Sequence, residues 1–158
     1  MADSFLASIA QRAFIWAGRA FIRAHGFLYR TTGGRIGARL FGNPVLLLTT
    51  RGRRSGKIRT TPVLYLRDGR DFVVVASNGG AAMHPDRWFN LQSHPEATIQ
   101  VQDQTMHVRS QQATPEEKRR LWPLLVGMYP TYAEYQKKTT RDIPLAVLRP
   151  VEAHRQDR

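Results

Sequence analysis

The stretch TTRGRRSGKIRTTP, Thr49–Pro62, sets five cations (Arg51, Arg53, Arg54, Lys57, Arg59) among two glycines, one serine and four threonines, with no acid. It lies between two apolar runs, Val45–Leu48 and Val63–Leu66. Glycines let the backbone approach a ligand, and successive N–H groups in a turn form a nest for an anion. Arginine forks pair with phosphate or carboxylate through two parallel hydrogen bonds. The segment GRRSGK lacks the GxxxxGK[ST] spacing of a nucleotide P-loop. On its residues alone the run reads three ways: a solvated hairpin turn, a site for a small anionic molecule, or a nucleic-acid contact.

Two further stretches could carry chemistry. SNGGAAMHPDRW, Ser77–Trp88, leaves an apolar run with a serine, an asparagine and two glycines, then enters a helix N-terminus. Free N–H groups and a partial positive charge beside a strand exit suit a planar, oxygen-rich ligand, although a plain connecting loop has the same composition. MYPTYAEYQ holds Tyr129, Tyr132 and Tyr135, the last two sharing one helical face. Such rows are commonly core, but a phenol needs a partner when buried, so three together could wall an aromatic substrate pocket and donate a proton. No Ser-His-Asp order and no carboxylate pair emerges among the acids, so a cofactor is expected to carry any redox chemistry.

The composition narrows the class. A chain of 158 residues with 42% hydrophobic content fits one domain with a core and is short for two. Absence of cysteine excludes a disulfide framework, a thiolate metal site and a cysteine nucleophile, and fits a reducing compartment. The histidines, His25, His84, His94, His107 and His154, lack metal-ligand spacing, so no metal is expected. Of the formal charge of +12, +10 falls within residues 1–60, where Asp3 is the single acid. This asymmetry points to an anionic partner: nucleic acid, a membrane surface or a polyanionic ligand. No run approaches the roughly 18 apolar residues of a membrane span. Asp3 and Arg12 spoil a signal peptide, which makes the cytoplasm the expected location.

These groups need elements to position them. Ser4 can cap a helix over roughly Phe5–Tyr29, with Arg12, Arg19, Arg23 and Arg30 in one stripe, Trp16 at its edge and an apolar face opposite. That helix could pack on its own domain, lie at a membrane interface or contact a second subunit. TTGGRIG, Thr31–Gly37, ends it and reads as a hinge or linker. Six strands are predicted: Val45–Thr50, Thr60–Arg67, Asp71–Ser77, Ala97–Gln102, Thr105–Ala113 and Ile143–Val151. The runs near 45–48 and 72–75 suggest burial on both faces. Helices are predicted over His84–Pro95 and from Thr114, where Thr-Pro-Glu-Glu resembles a capping box, with a kink near Pro123. A further helical piece follows Pro130. Hairpin-length turns and few helices give an α+β fold, an antiparallel barrel with flanking helices and an N-terminal helix.

Together LLLTTRGRRSGKIRTTPVLYL, VVVASNGGAAMHPDRWFNLQSHPEATIQV and MYPTYAEYQKKTTRDIPLAVLRP resemble the deazaflavin (F420)-dependent nitroreductase family, actinobacterial oxidoreductases, in order and spacing over roughly Phe41–Val151. The resemblance implies an FMN-binding split-barrel-like fold: residues 1–40 a lead-in, 41–152 the deazaflavin-binding domain and 153–158 a frayed tail. It implies hydride transfer from the reduced deazaflavin coenzyme F420 to a quinone, nitroaromatic or similar acceptor. Arg53, Arg54, Ser55 and Arg59 would then hold the phosphate and polyglutamate tail, with Thr60, Thr61 and Pro62 continuing along the cofactor. Ala76, Ser77, Asn78, Gly79 and Gly80 would line the ring, and Trp88, Phe89 and Asn90 would close the site. Tyr129, Tyr132 and Tyr135 would face the substrate, with Tyr132 and Ser77 in catalytic roles. Asn78 stands where the family often has lysine in Ser-Lys-Gly-Gly, a departure that bears on cofactor affinity. An FMN-binding relative and a non-enzymatic basic binder of membrane or nucleic acid stay open. The basic helix would suit a bilayer-resident quinone, as a peripheral contact at the inner face of the membrane, and the protein would be a monomer or homodimer.

Overall fold

Apolar alternation becomes strands largely where the sequence predicts them. The computed structural model of the chain describes Gly18 and residues 20–151. A helix over residues 20–31, α1, leads into β1 (Arg39–Leu40), β2 (Asn43–Arg51), β3 (Ile58–Leu64), β4 (Leu66–Asp68) and β5 (Asp71–Val75). A short 3-10 turn, Asn78–Gly80, precedes α2 (Asp86–Ser93), β6 (Glu96–Val101) and β7 (Gln104–Gln112). Helices α3 (Pro115–Met128) and α4 (Thr131–Lys137) then lead to β8 (Leu145–Pro150). Every pairing is antiparallel, in the order β1-β2-β6-β7-β8-β5-β4, with β3 on the other side of β2. The sheet curls into the expected antiparallel barrel.

Two differences from the predicted strands have a physical reason. The expected strand over 60–67 divides at Tyr65, because β3 pairs with β2 whereas β4 pairs with β5. Tyr65 N–H donates to the Pro44 carbonyl (3.2 Å), so the corner keeps its backbone satisfied while the chain changes partner. The two-residue β1 is too short to leave a periodic signal.

The predicted two-sided burial of β2 and β5 follows from what covers each face. Leu46 and Leu48 share the barrel interior with Phe72, Val74, Ile99, Val108 and Leu148. On the reverse of β5, Val73 and Val75 pack with Leu121 and Leu125 of α3, Tyr132 of α4 and Ile143. On the reverse of β2, Val45 and Leu47 lie against Tyr29 of α1. Burial of each such aliphatic side chain contributes on the order of 1.5–3 kcal/mol. The capping box of α3 forms in full, with Glu117 N–H donating to Thr114 Oγ1 (3.2 Å) and Thr114 N–H to Glu117 Oε2 (2.8 Å). This helix continues through Pro123.

Tyr29 fastens α1 to the barrel. Fully buried, its hydroxyl donates to the Val45 carbonyl (2.9 Å) and accepts from Gln102 N–H (2.7 Å). The TTGGRIG segment sits down on the same corner: a Cβ on Gly34 would lie 2.5 Å from Gln102 Cα. His25 Nε2 donates to the Gly37 carbonyl (3.0 Å). Arg23 and Arg30 of the expected basic stripe are exposed, whereas Ser4, Arg12, Trp16 and Arg19 lie outside the described residues.

Because Tyr29 satisfies two backbone groups at once, Tyr29→Phe leaves a carbonyl and an N–H without their partner. The expected cost is about 1–3 kcal/mol, read as a lower guanidinium chloride midpoint with an unchanged slope. An unaltered midpoint would show that the phenol does not hold the helix.

Candidate cofactor site and tyrosine cluster

The basic run is a loop with a fixed shape. Gly52 N–H donates to the Lys57 carbonyl (2.8 Å) and Gly56 N–H to the Gly52 carbonyl (2.8 Å), which folds residues 52–57 back on themselves. Gly52 is required by space, since a Cβ there would meet Ser55 Oγ at 2.7 Å. The loop is held from α2 by neutral groups. Asn90, buried, accepts from Arg53 N–H (3.0 Å) and donates to Thr50 Oγ1 (3.3 Å). The Arg53 guanidinium lies 4.3 Å from the Phe89 ring centroid, a cation–π contact. No acid is used, so the cations keep their charge for something else.

Around this loop opens a cavity of about 1100 Å³. Arg53, Arg54, Ser55, Arg59, Thr61 and Asn90 line it, as the sequence reading groups them. Thr60 and Pro62 do not, because β3 alternates: Arg59 and Thr61 point one way, while Thr60 Oγ1 meets Thr49 Oγ1 at 2.9 Å and Pro62 lies towards Gly26. Trp88 belongs to the barrel core, and Phe89 supports Arg53 from beneath. The cavity wall also holds Ala20, Ile22, Arg23, Thr50, Gly52, Asp86 and Arg87, which sequence reasoning missed.

The strand exit, residues 76–80, and the three tyrosines, which the sequence reading placed in the same site, do not line this cavity. Ala76 and Ser77 are buried; Asn78, Gly79 and Gly80 turn with φ of +49°, +64° and +79°. A left-handed asparagine costs less than a left-handed lysine. Asn78 is further held by its amide, which donates to the Met83 carbonyl (2.9 Å). Gly80 presses on α4, where a Cβ would approach the Tyr135 carbonyl to 2.7 Å.

Arg141 clamps this turn from behind. It donates to the carbonyls of Ser77 (2.7 Å), Ala81 (2.9 Å) and Ala76 (3.3 Å), and to His84 Nδ1 (2.8 Å). A guanidinium offers only donors, so His84 Nδ1 must accept and the imidazole is neutral. Burial, helped by the Arg141 charge, holds the His84 pKa below its ordinary value.

The three tyrosines do come together. Ring centroids are 5.0 Å apart for Tyr129 and Tyr132, 6.4 Å for Tyr132 and Tyr135, and 6.5 Å for Tyr129 and Tyr135. Tyr132 is 5% exposed, and burial pushes its pKa up while the Arg87 charge partly offsets it. Among the described residues its hydroxyl makes no hydrogen bond, and neither does Ser77 Oγ. Ser110 Oγ is the sealed side-chain atom without a partner among those residues, so both hydroxyls open onto accessible space. They face a ligand or solvent.

A cavity of this size walled by Arg53, Arg54, Arg59 and Arg87 fits a redox cofactor with an anionic tail. Comparison with known proteins agrees. Residues 21–150 match the family model described as F420H(2)-dependent quinone reductase. The chain belongs to that family. An F420H(2)-dependent quinone reductase of Mycobacterium tuberculosis is 37% identical over 135 residues, 83% of this chain and 91% of the relative. A solved F420-H2 dependent reductase, FDR-A, superposes with a TM-score of 0.62 at 37% identity, covering 66% of this chain and 93% of the other. Another solved structure, described as a domain-swapped dimer, gives 0.64 at 31% identity over 86% and 98%. As a member of the F420H(2)-dependent quinone reductases the protein is an oxidoreductase of the split-barrel fold, and its coenzyme is F420.

His84 gives this family member an acid-sensitive clamp. Its folded pKa is depressed, so below the unfolded value of about 6.5 the unfolded chain binds a proton that the folded chain resists. Stability should be level above that pH and fall as pH drops below it. Melting temperatures followed from about pH 7.5 to about pH 5 should show a smaller acid-side fall for His84→Gln. Superimposable profiles would exclude His84 as the titrating group.

Proposed function

We propose that the protein passes a hydride from reduced F420 to a quinone or a similarly electron-poor acceptor, such as a nitroaromatic compound. The observation that carries this reading is one cavity in which Arg53, Arg54, Ser55, Arg59 and Arg87 converge. When bound, the reduced coenzyme supplies the hydride. The chain's own residues do the rest. The basic loop grips the anionic tail through arginine forks and backbone N–H groups. Ala76, Ser77 and the Asn78–Gly80 turn present a flat edge to the ring, held rigid by Arg141. Tyr129, Tyr132 and Tyr135 exclude water and offer the acceptor an aromatic wall. Tyr132 keeps its proton, so its hydroxyl orients the acceptor as a hydrogen-bond donor.

A quinone acceptor also accounts for the exposed face of α1. Phe21 and Phe27 are 58% and 66% exposed, with Ile22 and Leu28 also open, beside Arg23 and Arg30. Among the described residues no helix is long and apolar enough to cross a membrane. An amphipathic face of this kind rests on a lipid surface, with cations at the headgroups, and admits a lipid-borne quinone. A second copy of the chain is the other occupant this face allows.

The test is direct. Purified protein mixed with reduced F420 and a short-chain menaquinone analogue should oxidise the coenzyme, followed by its absorbance. Arg54→Ala should raise the coenzyme Kd about tenfold, the loss of one charge-assisted contact. An unchanged Kd would remove Arg54 from the clamp. Coenzyme binding without turnover across quinone and nitro acceptors would overturn the acceptor class. A protein that purifies yellow and binds FMN instead would overturn the cofactor assignment for this chain.

A further inference from the structure

Arg87 is a cation of the cavity wall that lies outside the basic loop. It stands at the second position of α2, with Nη2 donating to the Val75 carbonyl (3.3 Å) at the very end of β5. The residue lines the main cavity and also, with Ala76, Trp88 and Leu91, a small pocket at the barrel core. Several other arginines find acids: Arg120 with Asp68, Arg149 with Asp71 and Glu117, Arg119 with Glu116, Arg109 with Glu96. Among the described residues no carboxylate is paired with Arg87, and one of its five N–H donors is used. Burial lowers its pKa, and Tyr132 packs in one cluster with Val75, whose carbonyl Arg87 holds. Arginine stays cationic through such a shift.

A desolvated cation without an acid is costly unless an anion visits it. The tail of the coenzyme is already served, because Arg53, Arg54 and Arg59 gather at the basic loop. Arg87 instead reaches the end of β5, where Val75 hands over to Ala76 and Ser77. Hydride transfer to a quinone creates an anion. The C–H bond of the reduced coenzyme breaks, its electron pair travels with the hydrogen to the quinone, and the quinone π bond opens. One carbonyl oxygen then carries a negative charge until it takes a proton from solvent. The coenzyme is oxidised and the quinone becomes a hydroquinone.

We propose that Arg87, with the Tyr132 hydroxyl beside it, binds that carbonyl oxygen and stabilises the oxyanion formed as hydride arrives. This rests on the quinone-reductase reading above. Arg87 then selects acceptors that place negative charge on oxygen, and its effect belongs to the transition state more than to coenzyme binding.

The experiment compares wild type, Arg87→Met and Arg87→Lys on a series of benzoquinones whose hydroquinones differ in basicity. Coenzyme Kd is read separately by fluorescence titration, and folding by thermal melting. Arg87→Met should lose about a hundredfold in kcat/KM, the usual cost of one oxyanion donor. The loss should grow towards the more basic hydroquinones, with coenzyme Kd unchanged and most activity recovered in Arg87→Lys. An equal loss across the series, or no loss, would overturn the proposal. So would a raised coenzyme Kd with unchanged kcat, which would assign Arg87 to the coenzyme. A folded wild type that binds F420 and reduces no quinone would instead defeat the underlying functional reading. Should Arg87→Met fail to fold, Arg87→Gln and Tyr132→Phe decide on the same series. Each must steepen the dependence on hydroquinone basicity, and a flat response in either overturns the assignment.

Discussion

Burial of β5 on both faces is the constraint from which the site follows. Phe72 and Val74 are taken up by the barrel, Val73 and Val75 by α3 and α4. A strand gripped from two sides cannot slip by one residue without exchanging its whole apolar set between two cores. Its end point is therefore fixed, and with it the place where Ala76, Ser77 and the left-handed turn emerge. The same packing seats Tyr132 against the strand that delivers Ser77, so the candidate reacting groups share one support. Gly80 and Arg141 complete that support, one by permitting close approach to α4 and the other by binding three carbonyls.

The basic loop solves the opposite problem, how to hold cations together with no acid among them. Its backbone closes on itself through Gly52, Gly56 and Lys57, and its external anchors, Asn90, Thr50 and Phe89, carry no charge. An acid in those places would neutralise the arginines and compete with an incoming anion. The repulsion that remains is small in open water, on the order of 1 kcal/mol for a close pair. Hydrogen bonds and one cation–π contact are enough to hold the shape against it.

Much of this was legible in the sequence, and the parts that were not have identifiable causes. Strand periodicity, the Thr114 capping box and Pro85 ahead of α2 are local signals, and the fold reproduces them. The division of the expected strand at Tyr65 is set by which strand lies alongside, which no window of residues contains. The family resemblance carried Arg59 through Pro62 to the cofactor as one run, yet strand alternation alone separates Arg59 and Thr61 from Thr60 and Pro62. Arg87 was passed over although a helical signal for it existed. A helix that turns Asn90 into the cavity must turn Arg87, three residues earlier, to the same side, just as Trp88 and Leu91 share the core face. The family resemblance singled out Ser77 and Tyr132, but that their hydroxyls lack partners among the described residues is a fact of packing.

The uneven spread of charge over the cavity then has a dielectric explanation. Around the exposed Arg54 and Arg59 water weakens each attraction, so holding an anionic tail there would take several cations acting together. Beside Arg87 the end of β5 is buried and apolar, at Val75, Ala76 and Trp88. There a single guanidinium exerts a field that would need several groups in solvent. A second cation at that end would raise the desolvation cost with no further anion to meet it. Several arginines where it is wet and one where it is dry is the arrangement that the proposed binding of a polyanion and reaction at one oxygen would ask of one pocket.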